Sequence, residues 1–289
     1  MKPAPFEYVA PRTIAEACST LAEAGGGAAV LAGGQTLLPL LNLRMSQPFI
    51  LVDINKIAEL KGVSRIAAGI RIGPMTRQCE VLADEALARD LPVLVQAMSQ
   101  VGHHQTRNRG TIGGSIALGE PAAEMPAAAV ALGASIDVRS IRGTRTVLAD
   151  QFYLGPYLTA LEPDELITGL TYPDWPTGHV TIFREVAQRP GDFALVGLVG
   201  ALTIHGGKIT RAGLAWFGMG PTPIKARAAE QMLLGRTLAE IDSQAVAERA
   251  ISETAPFDDH HASAEYRRTV GKRIFASSLR ELLQLKEAA

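Results

Sequence analysis

Two short segments constrain this chain more than anything else in it: VLAGGQTLLPLL, beginning at Val30, and GTIGGSIALGE, beginning at Gly110. In each, a diglycine is followed by a polar residue and then by apolar residues at helical spacing. A chain that turns on two glycines between a strand and a helix aims backbone N–H groups at one concavity, and the missing Cβ lets an anion reach them. Residues 32–36 and 111–115 are therefore candidate phosphate cradles, with the hydroxyls of Thr36, Thr111 and Ser115 as further donors. Two cradles suit a pyrophosphate bridge. Glycine pairs also serve turns alone, and that plain reading stays open for each loop. Neither segment is GxGxxG, GxxxxGKS or GxxxxGKT, so an ordinary NAD or ATP site is disfavoured.

The rest of the composition excludes several classes. A chain of 289 residues is long enough for two or three subdomains. With a formal net charge of −1 it has no basic field for nucleic acid or an anionic membrane surface. Its longest nearly uncharged apolar run, residues 193–204, falls short of the roughly 20 residues a membrane helix needs and reads as a buried strand. The start, MKPAPFEYVAPRT, lacks an apolar core of signal-peptide length, so a cytoplasmic location is expected. Cys18 and Cys79 lie far apart and outside any CxxC, so this chain alone cannot supply four thiolates to an iron–sulfur cluster or a structural zinc. Adjacent histidines at 103–104 and in the Asp-Asp-His-His run at 258–261 lack a third preorganised ligand, which disfavours a metal there.

Periodicity divides the chain. Thr13 and Glu16 form a capping box for a helix that ends at three glycines, 25–27; the strand AAVLA, the first diglycine, a helix from Thr36 and the strand FILVDI complete a βαβ-like unit. A second unit holds the strand GIRIG, a helix entered at Thr76 and a helix from Pro92 that stops at Gly102. The segment HHQTRNRGTIGGSIALGEP reads as a long loop, too rich in glycine and polar residues for an element interior, and leads into the alanine-rich helix AAEMPAAAVALGA. A hairpin of SIDVRS and TRTVLA and the strand LITGLTYP follow. Residues 173–179, PDWPTGH, are the expected boundary; beyond them come three strands, an HGGK turn and then helices from Pro221 to the end.

At these residues the sequence resembles the FAD-binding medium subunits of molybdenum-containing hydroxylases, which include those of bacterial carbon monoxide dehydrogenase, quinoline oxidoreductase and xanthine dehydrogenase. AGGQT at 32–36 and TIGGS at 111–115, the latter within QTRNRGTIGGSIA, are similar to that family's two FAD-pyrophosphate motifs. The resemblance runs from FEYVAPRT through LAGGQTLLPLL, EPAAEMPAA and RPGDFALVG to SAEYRR. It implies an α+β fold: a two-part FAD-binding domain of the p-cresol methylhydroxylase type over residues 1–176, split near 57, and a C-terminal domain of antiparallel sheet and helices over 177–289.

The resemblance further implies that Ala32, Gly33, Gly34, Gln35 and Thr36 wrap the FAD diphosphate together with Thr111, Gly113, Gly114 and Ser115, and that Val101 and Gly102 also touch the cofactor. Glu124 stands where an aspartate usually contacts FAD; its plainer reading is a charge on the first turn of its helix. Asp192 and Phe193 match a loop beside the isoalloxazine ring, where some relatives carry tyrosine; Phe193 read alone is simple core. Arg107 and Arg109 are expected to be structural or interface residues, because the family uses loop backbone for the diphosphate. No catalytic residue is expected on this chain, since the cofactor carries the chemistry. A large subunit with molybdopterin and a small subunit with two [2Fe–2S] clusters are the implied partners, in a dimer of heterotrimers, with electrons leaving through FAD. The alternatives are a single-chain FAD oxidoreductase of the same fold and a nucleotide-binding assembly subunit without redox activity.

Overall fold

The computed structural model describes residues 2–287. Its first part comprises β1 (Glu7–Val9), α1 (Ile14–Glu23), β2 (Ala28–Leu31), α2 (Leu37–Asn42) and β3 (Ile50–Asp53). Thr13 opens α1 as expected: its hydroxyl accepts from the Glu16 N–H at 3.1 Å, and the Glu16 carboxylate accepts from the Thr13 N–H at 3.3 Å. β2 and β3 pair in parallel from Ala28 beside Ile50 to Leu31 beside Asp53, the strand–helix–strand unit indicated by the sequence. β1 adds to the far side of β3 and, at three residues, is too short for alternation to show.

The second part holds β4 (Val63–Ile66), β5 (Gly69–Ile72), α3 (Gln78–Ala83), α4 (Glu85–Asp90), α5 (Pro92–Gln100), α6 (His104–Arg109), α7 (Ile112–Leu118), α8 (Glu124–Leu132), β6 (Ser135–Ser140), β7 (Gly143–Leu148), α9 (Ala149–Phe152), β8 (Tyr153–Gly155), β9 (Leu158–Thr159) and β10 (Leu166–Tyr172). Its main sheet runs β4-β5-β10-β6-β7. One expectation fails here. Residues 103–121 are not a long loop but carry α6 and α7, because the first turn of α7 is held by tertiary and capping bonds that glycine content does not reveal.

The third part is the antiparallel sheet of β11 (Val180–Val186), β12 (Val196–His205), β13 (Lys208–Phe217) and β14 (Ile224–Lys225), followed by α10 (Arg227–Leu233), α11 (Ser243–Ser252) and α12 (Ala264–Glu287). His205 pairs with Lys208 across the expected two-glycine turn. One face of this sheet contributes Phe183, Val199, Ala215 and Phe217 to the core that surrounds α8, whose residues are all buried. The opposite face, with Leu198 and Trp216, packs on Phe275 and Leu279 of α12. The approach to α8 is close: a Cβ on Gly213 would stand 2.2 Å from the Ala131 carbonyl oxygen. α8 is thus fixed between the two sheets, and burial at roughly 1.5–3 kcal/mol per large apolar side chain holds the parts in register. Just before its N-terminal end the Pro121 carbonyl accepts from the Gly218 N–H of the third part at 2.9 Å. Among the described residues no helix is long and apolar enough to cross a membrane.

Candidate functional site

The C-terminal end of β2 delivers the first glycine loop. Gly34 turns there with φ of +73°, a left-handed value that strains any residue with a Cβ. Among the described residues the N–H groups of Gly33, Gly34, Gln35 and Thr36 have no protein acceptor, although the Gly34 and Thr36 carbonyls accept from Leu38 and Leu40 at 3.1 and 3.2 Å. Gln35 and Thr36 are exposed. Four consecutive donors in a concave turn are what a dianionic bridge requires.

The second loop is built differently. The N–H groups from Ile112 to Ser115 are already engaged: Ile112 donates to the Thr76 carbonyl at 3.1 Å, Gly113 to that of Pro74 at 2.8 Å, and Ser115 to that of Thr111 at 3.2 Å. Gly114 donates to the Thr111 hydroxyl, which caps α7, at 3.1 Å. The expected row of free amides is therefore present only in the first loop. What distinguishes its two glycines is what a side chain on each would meet. A Cβ on Gly113 would strike Pro74, with its carbonyl oxygen at 2.6 Å, so that glycine serves protein packing; a Cβ on Gly114 would meet only the Thr111 hydroxyl at 2.8 Å and the Ala32 Cβ at 3.8 Å.

The two loops touch. A Cβ on Gly33 would lie 2.5 Å from the Arg109 carbonyl oxygen and 2.8 Å from Gly110 Cα. Asn55, just past β3, donates through Nδ2 to the Ala32 carbonyl at 2.9 Å and accepts from Arg77 Nη2 through Oδ1 at 2.6 Å. Arg77 also donates through Nη1 to the Arg109 carbonyl. A continuous chain of bonds thus runs from Ala32 to Arg109 and ties the two loops to each other. Neither Asn55 nor Arg77 carries a sequence signal, because the link is tertiary.

The remaining expected residues fall into two groups. Val101 and Gly102 lie at the end of α5, where their carbonyls accept from Arg107 Nη1 at 2.8 and 3.0 Å, which gives Arg107 the structural role expected of it. The loop carrying Asp192 and Phe193 leans on this turn: a Cβ on Gly191 would meet the His103 ring at 2.5 Å and the Gly102 carbonyl oxygen at 3.0 Å. Phe193 is 60% exposed and so is not a core residue. Asp192 pairs with Arg189 at 3.2 Å. Glu124, in contrast, is buried in the first turn of α8. Burial, with the nearby Glu185 adding to it, pushes its carboxyl up to about 8, so at neutral pH it is a protonated acid rather than a charge on the helix end.

Sequence reasoning missed a cavity of about 620 Å³ beside this loop, walled by Tyr157, Phe193, Leu195, Phe257 and Arg267 and by Glu120. Tyr157 sits at φ +56° and donates its hydroxyl to the buried Glu120 carboxylate. Burial of that hydroxyl and the Glu120 charge push it up to about 12. Arg267 is 4% exposed, donates to the Leu195 and Gly218 carbonyls and pairs with Asp259 at 2.7 Å. Asp258 and Asp259 cap the entry to α12, accepting from the Ala264 N–H at 2.6 Å and from the His261 and Ala262 N–H groups at 2.8 and 2.9 Å. Glu185, also missed, is pushed up to about 7 by burial and has one carboxylate oxygen without a partner among the described residues. Among those residues no three His, Cys, Asp or Glu side chains gather to hold a metal.

Residues 4–175 match the family model described as the FAD binding domain in molybdopterin dehydrogenase, and residues 181–282 match the CO dehydrogenase flavoprotein C-terminal domain. The chain is 36% identical over 293 residues to the 6-hydroxypseudooxynicotine dehydrogenase complex subunit alpha of Paenarthrobacter nicotinovorans, covering 100% of this chain and 99% of that one. It is 33% identical to the carbon monoxide dehydrogenase medium chain of Hydrogenophaga pseudoflava, covering 96% and 97% of the two chains. A solved structure of carbon monoxide dehydrogenase from that organism superimposes with a TM-score of 0.94 at 35% identity over 97% of this chain and 98% of that one. A row of unengaged amides in one glycine loop, bonded to the other, agrees with these matches: the chain belongs to the FAD-binding medium subunits of the molybdenum hydroxylases.

Proposed function

We propose that this chain is the electron exit of a molybdenum hydroxylase. It takes electrons from [2Fe–2S] clusters on a small partner subunit, fed in turn by a large molybdopterin subunit, and passes them to an external acceptor. A dimer of such heterotrimers in the cytoplasm completes the reading. The observation that carries it is the row of unengaged amides in the first glycine loop, bonded through Asn55 and Arg77 to the second. Ala32 to Thr36 hold the diphosphate by their amides, Gly114 leaves it space, and Thr111 and Ser115 add hydroxyls. Val101 and Gly102 lie along the same path, with Asp192 and Phe193 on the ring side.

FAD, when bound, supplies two-electron chemistry that bridges a one-electron cluster relay and a two-electron acceptor. This chain's residues bind it, orient it and exclude water. Glu124, protonated at neutral pH, presents a hydrogen-bond donor at the N-terminal end of α8. Both cysteines are free, Cys18 buried and Cys79 half-buried, in keeping with electrons that arrive from clusters on another polypeptide.

The test is anaerobic mixing of aromatic heterocycles and aldehydes with the isolated flavin-loaded chain and with the copurified assembly. Bleaching of the flavin band in the assembly alone is the expected result. Rapid bleaching in the isolated chain would replace the electron-exit reading with a single-chain oxidoreductase.

A further inference from the structure

The bonds that tie the two glycine loops together leave a positive charge unanswered. Arg77 spends one N–H on Asn55 Oδ1 at 2.6 Å and one on the Arg109 carbonyl, both uncharged oxygens. A guanidinium carries five N–H donors, so most of them remain uncommitted. Among the described residues neither Arg77 nor Arg109 forms an ion pair. The neighbouring acids are engaged elsewhere. Asp53 accepts from the Asn55 N–H and Nδ2 at 2.9 and 2.6 Å and from the Tyr8 hydroxyl at 2.5 Å, and Glu80 accepts from the Arg77 backbone N–H at 2.7 Å.

Arg77 is half-buried, and burial, joined by the positive charge of Arg109, pushes its guanidinium below the usual arginine range. Two like charges held close, one of them half-buried, repel until an anion joins them. The first glycine loop lies beside them: a Cβ on Gly33 would stand 2.5 Å from the same Arg109 carbonyl oxygen that Arg77 holds. Unengaged amides and an unmatched cation pair are therefore neighbours, and both favour a compact anion of more than one charge. The amides act at contact distance, whereas the guanidiniums add an attraction that reaches several ångströms and weakens with salt.

Resting on the flavoprotein reading above, we propose that Arg77, backed by Arg109, is a specificity-determining residue for the cofactor: its charge answers the diphosphate and selects FAD over uncharged riboflavin. Arg109 thereby has more than the structural or interface role expected of it from the sequence.

The test is fluorescence titration of the deflavinated full chain with FAD and, separately, with riboflavin, at about 50 and about 500 mM sodium chloride. Arg109→Gln removes a charge but keeps the backbone carbonyl that Arg77 holds, and because the Arg109 side chain is exposed the fold stays intact, which circular dichroism checks. Arg77→Lys keeps the charge and loses the two-handed bond. Wild-type FAD affinity is expected to fall as salt rises. At low salt Arg109→Gln should cost about three- to tenfold and Arg77→Gln about 10- to 100-fold, each with a flatter salt dependence, while Arg77→Lys keeps the wild-type salt dependence. Riboflavin affinity should not change in Arg109→Gln. FAD affinity indifferent to salt and to Arg109→Gln, or a wild-type chain that binds FAD no more tightly than riboflavin, would overturn this proposal alone and leave Arg77 as a structural clamp. A wild-type chain that binds no FAD would contradict the flavin reading on which it rests.

Discussion

Arg77 donates to Asn55 Oδ1 at 2.6 Å while its other terminal nitrogen donates to the Arg109 carbonyl, so one guanidinium spans both glycine loops. Asn55→Ala removes the acceptor and also the bond to the Ala32 carbonyl. Each such bond contributes about 1–3 kcal/mol where a charged or buried group is left unpaired. The loops then lose their fixed separation, and the variant is expected to bind FAD about 10- to 100-fold more weakly, measured by flavin fluorescence titration of the deflavinated chain. Wild-type affinity would show that the clamp does not set the groove.

Gly113 and Gly114 are neighbours with different duties. A methyl on Gly113 collides with Pro74 backbone, its carbonyl oxygen 2.6 Å away, whereas on Gly114 it meets the Thr111 hydroxyl at 2.8 Å and the Ala32 Cβ only at ordinary contact distance, 3.8 Å. Gly113→Ala should cost about 1–3 kcal/mol of stability through overpacking, and Gly114→Ala markedly less. Urea denaturation of the flavin-free forms decides the order, and equal losses would argue against it.

The carboxyl of Glu124 is raised to about 8 and that of Glu185 to about 7, both chiefly by burial. A carboxyl raised in the folded state binds protons that the unfolded chain has released. Its stabilising contribution is complete below the unfolded value of about 4.5 and is lost as pH rises through the folded value. Stability of the flavin-free chain should therefore fall between about pH 4.5 and 8, and Glu124→Gln should flatten the slope. Urea midpoints across that range test this; an unchanged slope in the variant would remove Glu124 as its source.

Arg267 closes the floor of the cavity with three bonds and 4% exposure. Arg267→Met leaves Asp259 and two carbonyls without their donor, and the expected loss is about 3–5 kcal/mol. Thermal denaturation reads it, and a change below about 1 kcal/mol would mean that water replaces the guanidinium readily.

Where order is local, the sequence announces it. The Thr13 capping box, the β2–glycine–α2–β3 unit and the β6–β7 and β12–β13 hairpins all follow from periodicity and turn chemistry within a few residues. Where order is tertiary, it does not. α7 looks like loop because its first N–H groups are held by Pro74 and Thr76, about forty positions upstream. Which diglycine keeps its amides free is equally invisible, since it depends on what packs behind each one. Tyr157 and Glu120 are 37 residues apart, and the Arg267 contacts reach back 72 residues to Leu195, so the cavity has no local pattern. The family resemblance indicated the Asp192–Phe193 loop but not the cavity beside it.

The account rests on a diphosphate held between the two glycine loops, and the most direct measurement is the FAD dissociation constant of Gly114→Val against wild type. A Cβ there already meets the Thr111 hydroxyl at 2.8 Å and the Ala32 Cβ at 3.8 Å, so the two methyls of valine crowd the junction of the two loops. Displacing the diphosphate from even two charge-assisted bonds costs roughly 3–6 kcal/mol, about two to four decades in affinity. Cys79→Ser, a control at a side chain that makes no hydrogen bond among the described residues, should keep its flavin. The account predicts a folded, nearly colourless Gly114→Val protein beside a yellow control; a folded Gly114→Val that binds FAD as tightly as wild type would contradict it.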